Sequence, residues 1–217
     1  MTTKEKILNE ALILFSEKGY SDVFVGDIAT AVGIKAPSLY KHFKGKQEIF
    51  DSCVEKFFER MTQIRNELFL PDTPQSDVSY ETADTEKITE FAIGLFMFYW
   101  KDDIASRFRR MLMIERYRNP ELNRIYEDFF VNGAVEYEEK VFAELISAGV
   151  IKKEDPHIIT LRFYSPIYYL LQKYDMYPDK EEEAKGEIIS SIREFCQTYK
   201  GKDSKNDGII KNDKEND

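Results

Sequence analysis

Lys35, Ser38, Tyr40, Lys41, His42, Lys44 and Lys46 lie close together in this sequence, with Leu39 and Phe43 one helical turn apart among them. Ammonium groups at that density neutralise phosphates, and hydroxyl, phenol and imidazole groups make single hydrogen bonds to phosphate oxygens or base edges. On a short helix whose first N–H groups are free, such a set suits a polyanion, and a helix of this kind fits a DNA groove. Phosphate contacts set position, whereas Ser38 and Lys41 are the candidates for reading bases. The same residues also describe a solvated lysine face, so their spacing alone leaves both readings open.

The elements that would position these side chains are legible in DIATAVGIKAPSLYKHFKGK, Asp27 to Lys46. Ile28, Ala29 and Val32 fall on one helical stripe, Ile34 follows a turn, and Leu39 returns to the same core. Two helices can then cross steeply, with Ala29 keeping them close. Gly33 stands where the first helix must stop and the chain reverse, a position that favours positive φ. Pro37 suits the first turn of the second helix, where its missing N–H has no partner to lose.

The flanks carry a family pattern as well. ILNEALILFSEKGY (Ile7 to Tyr20), DIATAVGI and SLYKHFKGKQEIF (Ser38 to Phe50) together resemble the N-terminal domain of the TetR family of bacterial transcriptional regulators, over about the first 50 residues. The resemblance implies an all-α fold: a three-helix DNA-binding domain with a helix-turn-helix over residues 1–46, then a larger helical regulatory and dimerisation domain over 47–199. It implies that Ala36 to Phe43 is the recognition helix, that Tyr40 and His42 touch the DNA backbone, and that Lys46, opening the fourth helix, adds a phosphate contact. Phe15, Ile28, Ala29, Leu39 and Phe43 would form the core of the small domain. A homodimer on a palindromic operator, a small-molecule effector and repression are implied in the same way. The chain departs from the pattern at Val23 and Phe24, where many members carry hydroxyl residues that cap the second helix and meet phosphate, and at Lys35, where many carry serine.

Charge divides the chain in the same place. Residues 1–50 hold seven lysines against six acidic residues, while the whole chain is at −9. Only one end can approach DNA, and its affinity should fall with salt. Cys53 and Cys196 stand apart, which argues against a disulfide scaffold or cysteine zinc site and fits a reducing compartment. Charged residues interrupt every apolar run, including that around Phe96 to Trp100, so neither a membrane span nor a signal segment is expected and the predicted location is cytoplasmic.

Helical periodicity extends nearly throughout. It predicts helices over about Lys4–Lys18, from Lys46 to Leu68, and at about Thr85–Trp100, Asp102–Arg118, Pro120–Ser147, Pro156–Tyr174 and Lys180–Tyr199. Asn119, Asp155 and Asp179 offer cap chemistry at three of these starts, and Pro166 should kink the penultimate helix. Residues 71–84 read as a loop and 200–217 as a disordered tail. On the last two helices, Ile159, Phe163, Ile167, Leu170 and Leu171, with Ile188, Ile192, Phe195 and Tyr199, form stripes that suit a four-helix bundle with a second chain or the core of a single one.

Aromatic residues are dense enough to line an effector cavity, with Trp100, Phe108, Tyr126, Phe130, Tyr164 and Tyr168 as candidates. Cationic ligands suit such rings and nearby glutamates, yet Arg107, Arg109, Arg110 and Arg116 suit an anion equally. Glu136, Glu138 and Glu139 read as a solvated face. No glycine-rich phosphate loop, metal-ligand cluster or nucleophile motif is present, and the two histidines, His42 and His157, fall on the DNA face and in a first helical turn. Neither catalysis nor a cofactor is therefore expected. The remaining rival is a helical structural or protein-interaction module that does not bind DNA specifically.

Overall fold

The computed structural model describes residues 1–68 and 85–201. Over these the chain is helical: α1 (Thr3–Lys18), α2 (Val25–Val32), α3 (Ala36–Leu39), α4 (Lys46–Glu67), α5 (Thr85–Lys101), α6 (Ala105–Glu115), α7 (Pro120–Phe130), α8 (Asn132–Ser147), α9 (Pro156–Tyr174) and α10 (Glu181–Tyr199). The loop and tail expected at 71–84 and beyond Gly201 lie outside the described residues. Lys200 itself bridges Ile151 in antiparallel fashion, with Lys152 N–H on the Tyr199 carbonyl at 2.8 Å and Gly201 N–H on that of Val150 at 2.9 Å.

Helices α1 to α3 and the start of α4 close over one apolar core. Thr2 caps α1 by accepting from Glu5 N–H at 3.2 Å, and the Glu5 carboxylate returns the bond to Thr2 N–H at 2.6 Å. Ile7, Phe15, Val23, Ile28, Ala29, Leu39 and Phe43 are all buried, which includes every core residue the family pattern named. Val23 is fully enclosed, so an apolar side chain there serves packing rather than capping. Phe24 makes no side-chain cap, and Asp27 meets the start of α2 instead, accepting from Phe24 N–H at 2.8 Å. Gly33 has φ 78° and ψ 30°, the left-handed conformation its position called for.

Helix α4 carries that domain into the larger one. Phe57 on α4 is fully buried, its ring 4.5 Å from that of Phe108 on α6, 5.2 Å from Phe129 and 6.2 Å from Phe130 on α7. Beyond this joint, α5 and α8 cover α9 and α10. Their cover decides between the two readings of these stripes: Ile159, Phe163, Ile167, Leu170 and Leu171, and Ile188, Ile192, Phe195 and Tyr199, are buried inside the one chain. Phe142, Phe163 and Phe195 meet there with ring centroids 5.1–5.7 Å apart.

Other boundaries also differ from the sequence reading. Pro120–Ser147 is two helices, broken at Val131 (φ −128°, ψ −86°), where a Cβ on Gly133 would fall 1.9 Å from the Asp128 carbonyl oxygen. Only glycine lets the chain pass that carbonyl. Helix α6 begins at Ala105 because Asp102 Oδ1 accepts from the N–H groups of Ile104 and Ala105, both at 3.0 Å. Asn119 and Asp155 cap α7 and α9 as expected, but Asp179 does not cap α10, whose N-cap position is Lys180 without a side-chain bond. Helix α9 runs through Pro166. Among the described residues no helix is long and apolar enough to cross a membrane.

Candidate functional site

The helix-turn-helix presents its polar side chains from a firmly held underside. Leu39 and Phe43 are buried, while Lys35, Lys41, His42 and Lys44 are exposed, Tyr40 is 55% exposed and Ser38 is half-buried. The helix that the family pattern makes the recognition helix is shorter than the expected Ala36–Phe43. It ends at Leu39 and continues as a tight turn in which Tyr40 N–H bonds Ala36 O at 3.3 Å, and the N–H groups of His42 and Phe43 bond Leu39 O at 2.9 and 3.1 Å. The chain has to reach the start of α4 at Lys46 within a few residues, and Lys44 N–H is held by the Glu48 carboxylate at that corner. Tyr40, Lys41 and His42 therefore project from a turn rather than from helical positions.

Lys46 is tied down. Its ammonium donates to the carbonyls of Tyr20 at 2.8 Å and Ser21 at 3.4 Å and lies 4.3 Å from the Tyr20 ring centroid. Partial burial lowers its pKa below the usual lysine value. Two of its three donors thus fix the loop before α2 to the start of α4. Phe24, 69% exposed, stands at the adjoining N-terminus of α2 where a hydroxyl residue was expected by family pattern.

The small domain is latched to α6 by a contact the sequence reading missed. Glu115, fully buried, accepts from Ser21 N–H and from Ser21 Oγ, each at 2.7 Å. Gly19, at φ 86°, makes room for it, since a Cβ there would lie 2.5 Å from Glu115 Oε1. Arg118 adds an exposed pair to Asp22 at 3.0 Å. Nothing local in the sequence links positions 21 and 115, so only the tertiary arrangement reveals the pair.

The larger half contains a cavity of about 200 Å3 between α4, α5, α7, α8 and α9. Of the six effector residues expected, Tyr164 lines it. The others are packed around it or away from it: Trp100 is buried with its indole N–H on the Tyr174 carbonyl at 3.0 Å, Phe108 stacks on Phe57, and Phe130 accepts from Tyr164 O–H at 3.0 Å through its carbonyl. Tyr126 and Tyr168 join their hydroxyls at 2.8 Å. The arginines are mostly engaged: Arg109 is buried against Asp175 at 2.5 Å, Arg110 lies 3.6 Å from the same carboxylate, and Arg107 pairs with Asp103 at 3.0 Å. Arg116 lies over the Tyr126 ring at 4.2 Å.

Glu138 overturns the reading of its segment as a solvated face. It is 5% exposed, lines the cavity, and its Oε2 has no hydrogen-bond partner. Burial raises its pKa to about 8, against a smaller opposing effect of Arg65. Glu136 and Glu139, on other faces of α8, remain accessible, with Glu139 3.1 Å from His157 Nδ1. Among the described residues no three His, Cys, Asp or Glu side chains are grouped as metal ligands would be.

Comparison with known proteins agrees with this geometry. The sequence model of "Bacterial regulatory proteins, tetR family" matches residues 7–53, the segment that forms α1 to α3 and the start of α4. The biofilm operon icaADBC negative transcriptional regulator IcaR of Staphylococcus aureus is 28% identical over 205 residues, spanning 89% of this chain and 99% of its own. Its Staphylococcus epidermidis counterpart is 47% identical over 55 residues, 25% of this chain and 30% of that one. Among solved structures, SmeT, the repressor of the Stenotrophomonas maltophilia multidrug efflux pump SmeDEF, superposes with a TM-score of 0.63 at 18% identity, covering 97% of this chain and 94% of SmeT.

Proposed function

Since the chain belongs to the TetR family of bacterial regulatory proteins and is a DNA-binding regulator of that kind, we propose that it is a ligand-responsive repressor that binds a roughly palindromic operator as a homodimer. The observation that carries this reading is the exposed set Lys35, Tyr40, Lys41, His42 and Lys44, displayed above the buried Leu39 and Phe43. Lysines supply counterion release, and Ser38 and Lys41 are the side chains proposed to read bases. The small excess of positive charge on one protrusion binds weakly by itself, so two copies on one assembly are needed for useful affinity. Repression is supported by the similarity to IcaR, a negative transcriptional regulator.

With the inner stripes of α9 and α10 used within the chain, the outer face of these helices supports dimerisation. Ile158 and Leu161 (each 38% exposed) and Tyr169 (62%) share one side of α9, and Gly186 and Ser190 give the neighbouring groove on α10 low relief. Two such faces can pack isologously. Sedimentation of the purified protein should give a dimer, and Leu161→Glu should yield a monomer with weakened DNA binding.

The cavity supports the ligand-responsive part. Phe129 in its wall touches Phe57 on α4, Phe57 stacks on Phe108 of α6, and α6 ends at Glu115 in contact with Ser21. A ligand that prefers a displaced α4 and α6 changes the separation of the two recognition turns and lowers operator affinity by that difference in preference. Selection from genomic fragments tests the whole reading: enrichment of one palindrome supports it, while uniformly weak capture erased by salt refutes it. On the selected site, Tyr40→Ala should weaken binding to all variants, whereas Ser38→Ala and Lys41→Ala should alter preference among them. Lys41→Ala should also lower the salt dependence by about one ion per half-site.

A further inference from the structure

The cavity's chemistry can be taken one step further, on the premise that the protein responds to a ligand. Its walls are aromatic, with Phe91, Tyr99, Phe129, Tyr137 and Tyr164 among the lining residues, and one carboxyl group, Glu138, is enclosed with them. Oε2 of that carboxyl has no partner. A buried polar atom left unpaired is costly, and such an atom in a cavity wall is a place where a ligand supplies the missing contact.

Two ligand classes can satisfy a carboxyl: an acceptor, if the acid stays protonated, or a cation, if it ionises. The surroundings favour the second. Arg65 from α4, Tyr99 from α5 and Tyr164 from α9 act electrostatically on Glu138, and Asp128 of α7 lines the same cavity. Burial keeps both tyrosines protonated far above neutral pH, so neither contributes charge. Arg65 is stacked on the Tyr137 ring at 4.8 Å, a cation already held by an aromatic face of this cavity. Asp128 and Glu138 both line the cavity beside one lining cation, Arg65, so its acidic side chains exceed its basic ones by one. Ring faces attract cations and offer nothing comparable to anions.

We infer that this cavity is a binding site for a monovalent organic cation with an aromatic or alkyl body, its charge paired with the Glu138 carboxylate and its body against the surrounding rings. In the free protein the carboxyl holds its proton up to about pH 8. Cation binding below that pH breaks the carboxyl O–H bond and releases the proton to solvent, so the ligand's charge takes the proton's place. Affinity for a permanent cation should therefore rise about tenfold per pH unit up to that point and level off above it.

Three probes of nearly the same shape and different charge test this on the full chain: benzyltrimethylammonium, neopentylbenzene and benzylsulfonate. Calorimetric titration should show the ammonium binding at least about tenfold more tightly than the sulfonate at pH 8, a difference of one pKa-unit equivalent. Proton release should appear at pH 6.5 as heat that depends on the buffer. Glu138→Gln should abolish the pH dependence and the preference for the cation while leaving neopentylbenzene affinity unchanged, which also reports that the variant is folded. Preference for the sulfonate, ammonium binding indifferent to pH and to Glu138→Gln, or failure of the ammonium to bind overturns the inference. The same samples are assayed on the selected operator. Operator binding without cation binding overturns the site alone, whereas cation binding by a protein that captures no operator upholds the site and overturns the regulator reading.

Discussion

The two halves of the molecule bury different things. Through residue 68 the buried residues are apolar, apart from glycine, with Phe15, Val23, Ile28, Leu39 and Phe43 at or near zero exposure. Among the described residues, every buried polar or charged side chain belongs to the larger half: Thr89, Ser106, Arg109, Glu115, Glu138 and Thr160. An apolar core has one good packing and presents its surface rigidly, as a groove-reading turn requires. A core with buried charge depends on partners, and its energy changes when a proton, a ligand or a neighbouring helix changes. The larger half thus carries the enclosed polar groups whose state can change, and among the described residues through 68 none is enclosed.

The largest effect should come from the residue the halves share. Phe57→Ala removes the ring that joins α4 to α6 and α7, and a deletion of this size in a closed core costs about 3–5 kcal/mol. Denaturant unfolding followed separately by DNA-domain and Trp100 signals should show both halves lost together at lower denaturant. Unfolding of one half with the other unchanged would break the view that Phe57 is their joint.

The second effect separates the halves by pH. The unfolded chain releases the Glu138 proton near pH 4.3, whereas the native state keeps it to about 8. The unfolded state therefore binds fewer protons in between, and stability from this group falls as pH rises through that window and is constant above it. At pH 7 the loss is on the order of 3 kcal/mol. Glu138→Gln should remove that slope from the larger half. Equal slopes for wild type and variant would show that the carboxyl is not enclosed as described.

Next in size is the latch between the halves. Glu115→Gln replaces two bonds to a carboxylate by weaker ones and turns an amide N–H group towards Ser21, at a cost of about 2 kcal/mol. Amide exchange should quicken at Ser21 and its neighbours while the α9–α10 core keeps its protection. Gly19→Ala should disturb the same latch, because the added methyl meets Glu115 at 2.5 Å on a backbone already at φ 86°. Protection unchanged at Ser21 in both variants would remove the latch from the coupling route.

How much of this was legible in the sequence follows the same division. In the small domain, the stripe Ile28, Ala29 and Leu39 and the reversal at Gly33 are local patterns that only one packing satisfies, and the structure reproduces them. Its one local surprise, the ending of α3 at Leu39, comes from the short run to α4, a constraint of connection rather than propensity. In the larger half, periodicity located helices but not what lay against them. The stripes of α9 and α10 look alike whether a second chain or α5 and α8 cover them. Glu138 sits between Tyr137 and Glu139, and nothing in that run distinguishes an enclosed carboxyl from two solvated ones. The Ser21–Glu115 pair depends on the Gly19 turn meeting the end of α6, a contact between residues far apart in the chain.

The smallest effect tests the rigidity of the reading half by itself. Gly33 ends α2 at φ 78°, and nothing lies within 4 Å of where its Cβ would be. Alanine there meets no neighbour, so its cost is confined to the left-handed backbone, about 1 kcal/mol, and asparagine should cost less because its side chain tolerates that region. The turn keeps its shape in either variant, because Ile28, Ala29, Leu39 and Phe43 still hold both helices from beneath. Operator affinity, measured well below the unfolding temperature, should therefore equal that of wild type while the midpoint of thermal unfolding falls slightly. A Gly33→Ala protein that is stable but binds the operator poorly would mean that the turn, and not the apolar core under it, sets the angle of the recognition segment, and the contrast between a rigid half and a responsive one would have to be redrawn.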